Sequence, residues 1–454
     1  MEETRLLSEF SHIEEKLNLY SITTLGIPMY RLFRYKTRLA YINTKVPFST
    51  RNTALRTIGR KRIKIFSGFW KFINKEDLSI FFPFNRLSKN EETFFDKFTD
   101  PVIELSCIRD KNYLIVEPSD YIGGYDRVHK NNVVANESRT FLFLLVKEFF
   151  LLISPLFSKK RIDTIFAKIN TISTLPESVK STYFKQASLF WANYYYFYFW
   201  FLILKPKRVF CVFREGYFPI IAVCKKLSIP IAEFQHGVTL DKTMAYMGNY
   251  DSRIDPDYFL SFGTYWKSAC YAIPENRMVR VGWAYKQFLG KDKETYNEDA
   301  VLVISSTAIS TQILNAIANL SIGCPKQQFH IRLHPNERYN EQQQMLLSRI
   351  SNALIVDNKT ESFSVLPSYK YVIGEASSVL FEALSVGCRV GMLNLCGLRP
   401  PIDKQGIKEN FFVINDANDF EQFLNIKTDS SKSQAEFYSD FDSKGFMEFI
   451  ENKM

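Results

Sequence analysis

Hydrophobic positions fall into distinct textures along the chain. Over the first 58 residues they recur at helical spacing: Leu6, Phe10, Ile13 and Leu17 share one face, and Met29, Leu32, Phe33 and Leu39 predict a second amphipathic helix. From about residue 60 the pattern changes to short apolar runs, and 62–66, 78–82, 102–105 and 113–116 read as strands. A long helical stretch over 139–204 interrupts them. Beyond it, runs and helices alternate regularly, with strands predicted at 208–213, 229–234, 258–261 and 278–281. A polar, charged segment over 284–299 reads as a hinge. The alternation then restarts at 300–304, 328–333, 353–356, 371–373 and 389–395, and 441–453 reads as a closing helix.

Strands that alternate with helices imply parallel sheets covered on both faces. Two such series around a polar hinge predict an α/β protein of two Rossmann-like domains facing each other across a cleft. The expected boundaries are a helical N-terminal segment (1–58), a first domain (59–285) with a helical insertion (139–204), a second domain (286–435) and a C-terminal helix (436–454).

Two apolar runs test whether the chain spans a membrane. Residues 140–157 carry Lys147 and Glu148 at their centre, which makes a lipid span costly. Residues 186–204 contain no charge, but Tyr194, Tyr195, Tyr196 and Tyr198 lie near the middle, and tyrosine prefers the interface to the bilayer core. A buried or interfacial helix is expected there, and the mean hydropathy of −0.14 argues against several spans.

Composition narrows the class further. With 46% hydrophobic and 23% charged residues the chain is neither disordered nor fibrous. Seven cysteines, an odd number without a CxxC pair, predict reduced thiols rather than a disulfide framework or a zinc site. With Glu2, Glu3, Glu9, Glu14 and Glu15 in the first twenty residues, no secretory signal is expected there. The formal net charge is +10, yet residues 31–75 alone hold 13 basic and no acidic side chains. The body is therefore near neutral, which argues against wrapping nucleic acid. The basic segment, interleaved with aromatics, is expected to meet an anionic membrane surface, through residues that include Arg31, Arg34, Lys36 and Arg38.

Ligands of doubly wound sheets bind at the carboxyl ends of the strands, and here those ends are polar. Arg214, Glu215 and Gly216 follow one strand, and Gln235, His236 and Gly237 follow the next. In the second series, Ser305, Ser306 and Thr307, then His334 and Pro335, then Gly374, Glu375, Ala376, Ser377 and Ser378 occupy the equivalent positions. His334, which shares a strand face with Arg332, suits a phosphate contact or protonation of a leaving phosphate. His330 reads as structural. Ser377 or Ser378 can cap a helix whose N-terminus faces the crevice, a ready anion site, although the same serines fit an ordinary cap. Glu382, one turn in, could accept from ribose hydroxyls. His236 could act as general base on an acceptor hydroxyl, with Glu215 as the competing candidate and Gln235, Gly237 and Asp241 in the same loop region. The nearest DxD, Asp255-Pro256-Asp257, precedes a strand, so a metal-independent reaction is expected.

The order QHG (235–237), PDYFLSFGTYWKS (256–268), RVGWA (280–284), HPNE (334–337) and SYKYVIGEASSVLFEAL (368–384) resembles the GT-B-type transferases of bacterial surface polysaccharides. It resembles in particular the CDP-glycerol glycerophosphotransferases of teichoic-acid type and the CMP-sugar transferases of capsule assembly. The resemblance runs from about 208 to 430. It implies a metal-independent enzyme without a cofactor, acting on a nucleotide-activated donor (CMP-, CDP-, UDP- or GDP-linked) and a lipid-linked or polysaccharide acceptor. It also implies donor phosphate contacts for His334, Ser377 and Ser378, a catalytic or acceptor-side role for His236, and a location on the cytoplasmic side of the inner membrane. The chain departs from the teichoic-acid pattern at Val238, at Glu375-Ala376 and at Glu382, which leans the expectation toward a sugar donor. A CDP-polyol phosphotransferase, a non-catalytic protein of the same fold and, on fold alone, a UDP-sugar 2-epimerase are the alternatives.

Overall fold

Seven strands pair into one parallel sheet and six into a second in the computed structural model of the protein. It describes residues 2–45, 68–84, 87–90, 93–117, 126–135, 141–238, 246, 248–268, 273–288, 297–307, 309–334, 337–356, 358, 362–375, 377–395, 411–425 and 437–454. The first sheet holds β1 (Ser79–Phe82), β2 (Tyr113–Glu117), β3 (Val133–Ala135), β4 (Arg208–Val212), β5 (Ile231–Phe234), β6 (Tyr258–Ser261) and β7 (Met278–Arg280), in the order β7-β6-β5-β4-β1-β2-β3. The second holds β8 (Asn297–Ile304), β9 (Gln328–Arg332), β10 (Ala353–Val356), β11 (Tyr369–Gly374), β12 (Arg389–Leu393) and β13 (Phe412–Ile414), in the order β10-β9-β8-β11-β12-β13. The two Rossmann-like domains expected from the alternation are present. In each, the chain runs outward from the first strand, then returns beside it and leaves the other way. The reversals lie between β1 and β4 and between β8 and β11, which is where such sheets open a ligand crevice.

Strands covered on both faces read as nearly continuous apolar runs, and β4 (RVFCV) shows why. Val209 and Cys211 face one core with Ile80, Phe82 and Ile231, under the helices α1 (Glu2–Lys16), α2 (Met29–Lys45), α4 (Phe141–Asn170), α5 (Glu177–Leu204) and α6 (Phe218–Leu227). Phe210 and Val212 face a second core with Phe81, Ile115 and Phe234, which continues into Leu302, Val372 and Leu380 of the other domain. The last helix, Ser443–Lys453, returns to the first sheet: Phe446 lies 6.0 Å from Phe210 and 6.1 Å from Phe234, ring centre to ring centre. Backbone bonds stitch this return to the chain just after β7, from Trp283 N–H to Ser439 O (2.9 Å) and from Asp442 N–H to Val281 O (3.0 Å).

Three expectations need correction or placement. Residues 102–105 belong to a helix, α3 (Asp100–Leu105), not a strand. Asp96 accepts from the Thr99 N–H and hydroxyl, and Pro101 sits in the first turn, so local capping overrides the β-branched Val102 and Ile103. The strand expected at 62–66 lies outside the described residues. Most consequentially, Arg31, Arg34 and Arg38 do not face a membrane. All three are buried. They line one stripe of α2 at spacings of three and four, against Glu14 of α1 and Asp255. Arg31 bonds Asp255 at 2.8 Å, and Asp255 also receives Arg214 at 3.2 Å. Burial opposes ionisation of Glu14, but the Arg38 hydrogen bond and the Arg34 and Arg38 charges prevail and hold its pKa below the usual range. Lys36 alone of the four named cations is exposed.

Candidate functional site

His236 leaves the end of β5 into a nest of rings from several segments. Phe213 lies 4.6 Å away, Phe84 5.1 Å and Phe98 6.5 Å. These segments meet because β1, β4 and β5 are neighbours and their carboxyl ends converge at the first crevice. Phe213 adopts the left-handed backbone region (φ 68°), an uncommon state for a bulky residue and a local strain beside the imidazole. His236 Nδ1 is 2.8 Å from the Tyr246 hydroxyl. Burial first, and the nearby Lys97 charge second, lower the imidazole pKa to about 4, so His236 is neutral at physiological pH.

Beneath Tyr246 lies the buried ion cluster. The Arg214 guanidinium sits 5.3 Å from the centre of the Tyr246 ring, bonds Glu233 Oε2 at 2.7 Å and reaches Asp255. Glu215 belongs to this cluster: burial raises its carboxyl to about 7 against the opposing charges of Arg31, Arg34 and Arg214. The two candidate bases thus differ in surroundings. His236 stands among rings at the strand end, and Glu215 feels the charges of Arg31 and Arg34 of α2 and of Arg214 just after β4. Gln235 is buried; its amide oxygen accepts from Phe262 N–H (2.9 Å) and its amide nitrogen donates to Gly237 O (2.8 Å), so it braces the ends of β5 and β6. Gly237 has open space where a Cβ would stand, so packing does not demand glycine there. Asp241 lies outside the described residues.

On the second domain, the loop after β9 is pinned by a residue the motif reading passed over. Glu337 is buried; it accepts from the Ser305 hydroxyl (2.7 Å) and from His334 N–H (2.9 Å), tying the ends of β8 and β9 together. The His334 side chain is left at the surface of this loop. Ser305 is buried and committed to Glu337, whereas Ser306 is half-buried and Thr307 exposed. Arg332 is buried on the strand face it shares with His330, which pairs with the Tyr369 hydroxyl at 2.8 Å as a structural histidine. Ser377 caps the helix Ser378–Ser385 by accepting from Val379 N–H (3.3 Å), and Ser378 is exposed in its first turn. Glu382 accepts from the Ser362 hydroxyl (3.0 Å). A Cβ on Gly374 would lie 3.0 Å from the Ile304 carbonyl oxygen, tighter than an ordinary contact.

The two walls meet through Lys97. Its ammonium lies 5.5 Å from the Phe98 ring and 5.7 Å from the Phe363 ring of the second domain. Phe98 touches His236, and Phe363 follows Ser362, the partner of Glu382. The sequence signal was the Asp96–Thr99 cap, which a strand reading at 102–105 hides. Replacing Lys97 with Met is expected to raise the His236 pKa above 4 while burial, the larger cause, keeps it below the usual 6.5. An imidazole titration by NMR checks this; an unmoved midpoint would remove Lys97 from the site.

Among the described residues, no group of His, Cys, Asp and Glu side chains could hold a metal ion. No protein-family model matches the sequence, and no curated protein matches it. Among solved structures, the chain is similar to UDP-GlcNAc 2-epimerase from Neisseria meningitidis bound to UDP-GlcNAc (12% identity, 83% of this chain and 99% of that one, TM-score 0.47). It is similar to the glycotransferase of kitacinnamycin (10% identity, 82% and 97%, TM-score 0.48) and to spinosyn rhamnosyltransferase complexed with thymidine diphosphate (12% identity, 82% and 100%, TM-score 0.43). No site residue is carried over from these structures; the two-sheet α/β architecture stands on the strand pairing of this chain itself.

Proposed function

We propose that the protein is a glycosyltransferase of GT-B type that moves a sugar from a nucleotide-activated donor onto a bacterial surface polysaccharide or its lipid-linked precursor. One observation supports the reading above the rest. Lys97 lies beside Phe98, which neighbours His236 of the first domain, and beside Phe363 of the second, whose chain neighbour Ser362 bonds Glu382. The donor phosphates would lie against His334, Ser377 and Ser378, with the helix dipole and Lys97 offsetting their charge. The acceptor hydroxyl oxygen attacks the anomeric carbon, the bond from that carbon to the phosphate oxygen breaks, and its electron pair leaves with the nucleotide. The hydroxyl proton passes to His236. Positioning and charge stabilisation suffice, with no covalent intermediate required.

Thermal shift against CMP, CDP, UDP and GDP tests the donor half. At least one nucleotide is expected to stabilise the protein, and His334→Ala is expected to weaken that nucleotide about tenfold, the loss of roughly 1.4 kcal/mol. CMP would point to an acidic-sugar donor, CDP to a polyol phosphate, and UDP or GDP to a hexose. No shift with any of the four would overturn the transferase reading in favour of a non-catalytic protein.

A further inference from the structure

The helical insertion carries an apolar face that the fold does not use. On α4, Leu145, Phe149, Leu152 and Leu156 recur at spacings of four, three and four, one stripe of the helix, and are 54, 55, 78 and 84% exposed. Beside it on α5, Tyr195, Phe199 and Leu202 are 41, 47 and 49% exposed. The two helices run antiparallel in contact, with Phe150 stacked on Tyr195 (5.0 Å) and Phe157 against Trp191 (5.7 Å), so the stripes belong to neighbouring helices of one hairpin. From Leu145 to Leu156 the α4 stripe extends about 16 Å. A soluble chain rarely leaves so many large apolar side chains together on one face without a partner.

Charge identifies the partner. Residues 141–207 hold nine basic side chains (Lys147, Lys159, Lys160, Arg161, Lys168, Lys180, Lys185, Lys205, Lys207) and three acidic ones (Glu148, Asp163, Glu177). Lys159, Lys160 and Arg161 follow the stripe by one turn and are exposed, and Lys185 is exposed on the opposing helix. An apolar stripe bordered by cations fits the boundary between acyl chains and anionic headgroups, with the helices lying in the plane of the surface. Among the described residues no helix is long and apolar enough to cross a membrane, so the hairpin would lie on the bilayer.

We infer that the exposed face of the α4–α5 hairpin docks this protein onto an anionic lipid bilayer. The interior arginines of α2 take no part. The inference does not rest on the transferase reading, because the hairpin face lies outside the residues of the cleft.

Co-sedimentation with vesicles of phosphatidylcholine and phosphatidylglycerol tests it. The protein is expected to pellet with vesicles containing phosphatidylglycerol, to release as salt rises to 0.5 M, and to bind pure phosphatidylcholine at least tenfold more weakly. The double variant Leu152→Glu/Leu156→Glu, both positions being at the surface, should lose vesicle binding at least tenfold with an unchanged melting temperature. Lys159→Gln/Lys160→Gln/Arg161→Gln should weaken it and flatten its salt dependence. Wild-type protein that stays in the supernatant with anionic vesicles overturns the inference, as does a double variant that still pellets. So does a dimer in analytical ultracentrifugation that the double variant dissociates, since a second copy would then cover the face. Failure of every nucleotide in the thermal-shift panel would leave vesicle binding untouched and strike only the transferase reading.

Discussion

Gly282→Ala is expected to destabilise the protein by about 3–5 kcal/mol, the range reserved for backbone strain combined with overpacking. Gly282 sits at φ +80°, where a Cβ alone costs roughly 1–2 kcal/mol. The larger penalty is steric. An added Cβ would lie 2.6 Å from the Asp440 carbonyl carbon and 2.9 Å from Phe441 Cα, and both are backbone atoms that no rotamer change can move. The segment they belong to is the returning chain end, held by Trp283 N–H on Ser439 O and by Asp442 N–H on Val281 O. Accommodating alanine therefore means peeling residues 437–442 from the chain just after β7 and loosening Phe446 from the first sheet. Urea unfolding should show a lower midpoint, and amide exchange should accelerate over 437–454 before the rest of the chain. A midpoint unchanged from wild type would mean that the chain end does not close the molecule.

That return could not be read from the sequence. The closing helix was read at 441–453, but periodicity does not say which core receives a helix; Phe446, Phe449 and Ile450 are the residues it buries. The strands were legible where they are buried on both faces, as in β4 and β11, because continuous apolar runs leave few alternatives. They were hidden where three residues suffice, as in β3 and β13. The arginines of α2 teach a different lesson. Counted as charge, Arg31, Arg34 and Arg38 looked like a surface. Placed on a helix, their spacing of three and four puts them on one stripe, and Glu14 and Asp255 pair with that stripe inside the molecule. Net charge records how many cations there are and not whether solvent reaches them.

The site was legible in the same partial way. Strand ends are predictable once strands are, so the positions of His236, His334 and Ser377 at such ends could be read in advance, though not their roles. The neighbours that surround strand-end residues are not local in sequence. Lys97 reaches the cleft from a loop after β1, Tyr246 reaches His236 from ten residues downstream, and Glu337 serves Ser305 from 32 residues away. Gln235 shows the converse: a polar residue at a strand end can be spent entirely on backbone partners.

His236→Ala is expected to lower kcat for transfer by about 10²–10⁴, the contribution of a positioned general base, with the fold intact. The substrate is the donor chosen by the nucleotide panel, and nucleotide release is the readout. The base role requires Nδ1–H to donate to Tyr246, which leaves the Nε2 lone pair for the acceptor proton. Tyr246→Phe removes that tautomer lock and should reduce kcat while KM holds. The pH dependence separates His236 from Glu215. Burial and Lys97 hold the imidazole pKa near 4, so kcat/KM should fall only as pH drops through about 4, where the base becomes protonated. Glu215, raised by burial to about 7, would place that acid limb near neutrality. Glu215→Gln is accordingly expected to leave the limb in place. A limb near 7 that disappears in Glu215→Gln would transfer the base to Glu215 and reduce His236 to a wall of the acceptor pocket. Stability follows the same sign for His236: the unfolded chain takes up its proton near 6.5 and the folded one near 4, so wild-type protein loses stability between those values as pH falls. His236→Ala should flatten that slope, a readout that survives even if the donor nucleotide has been chosen wrongly.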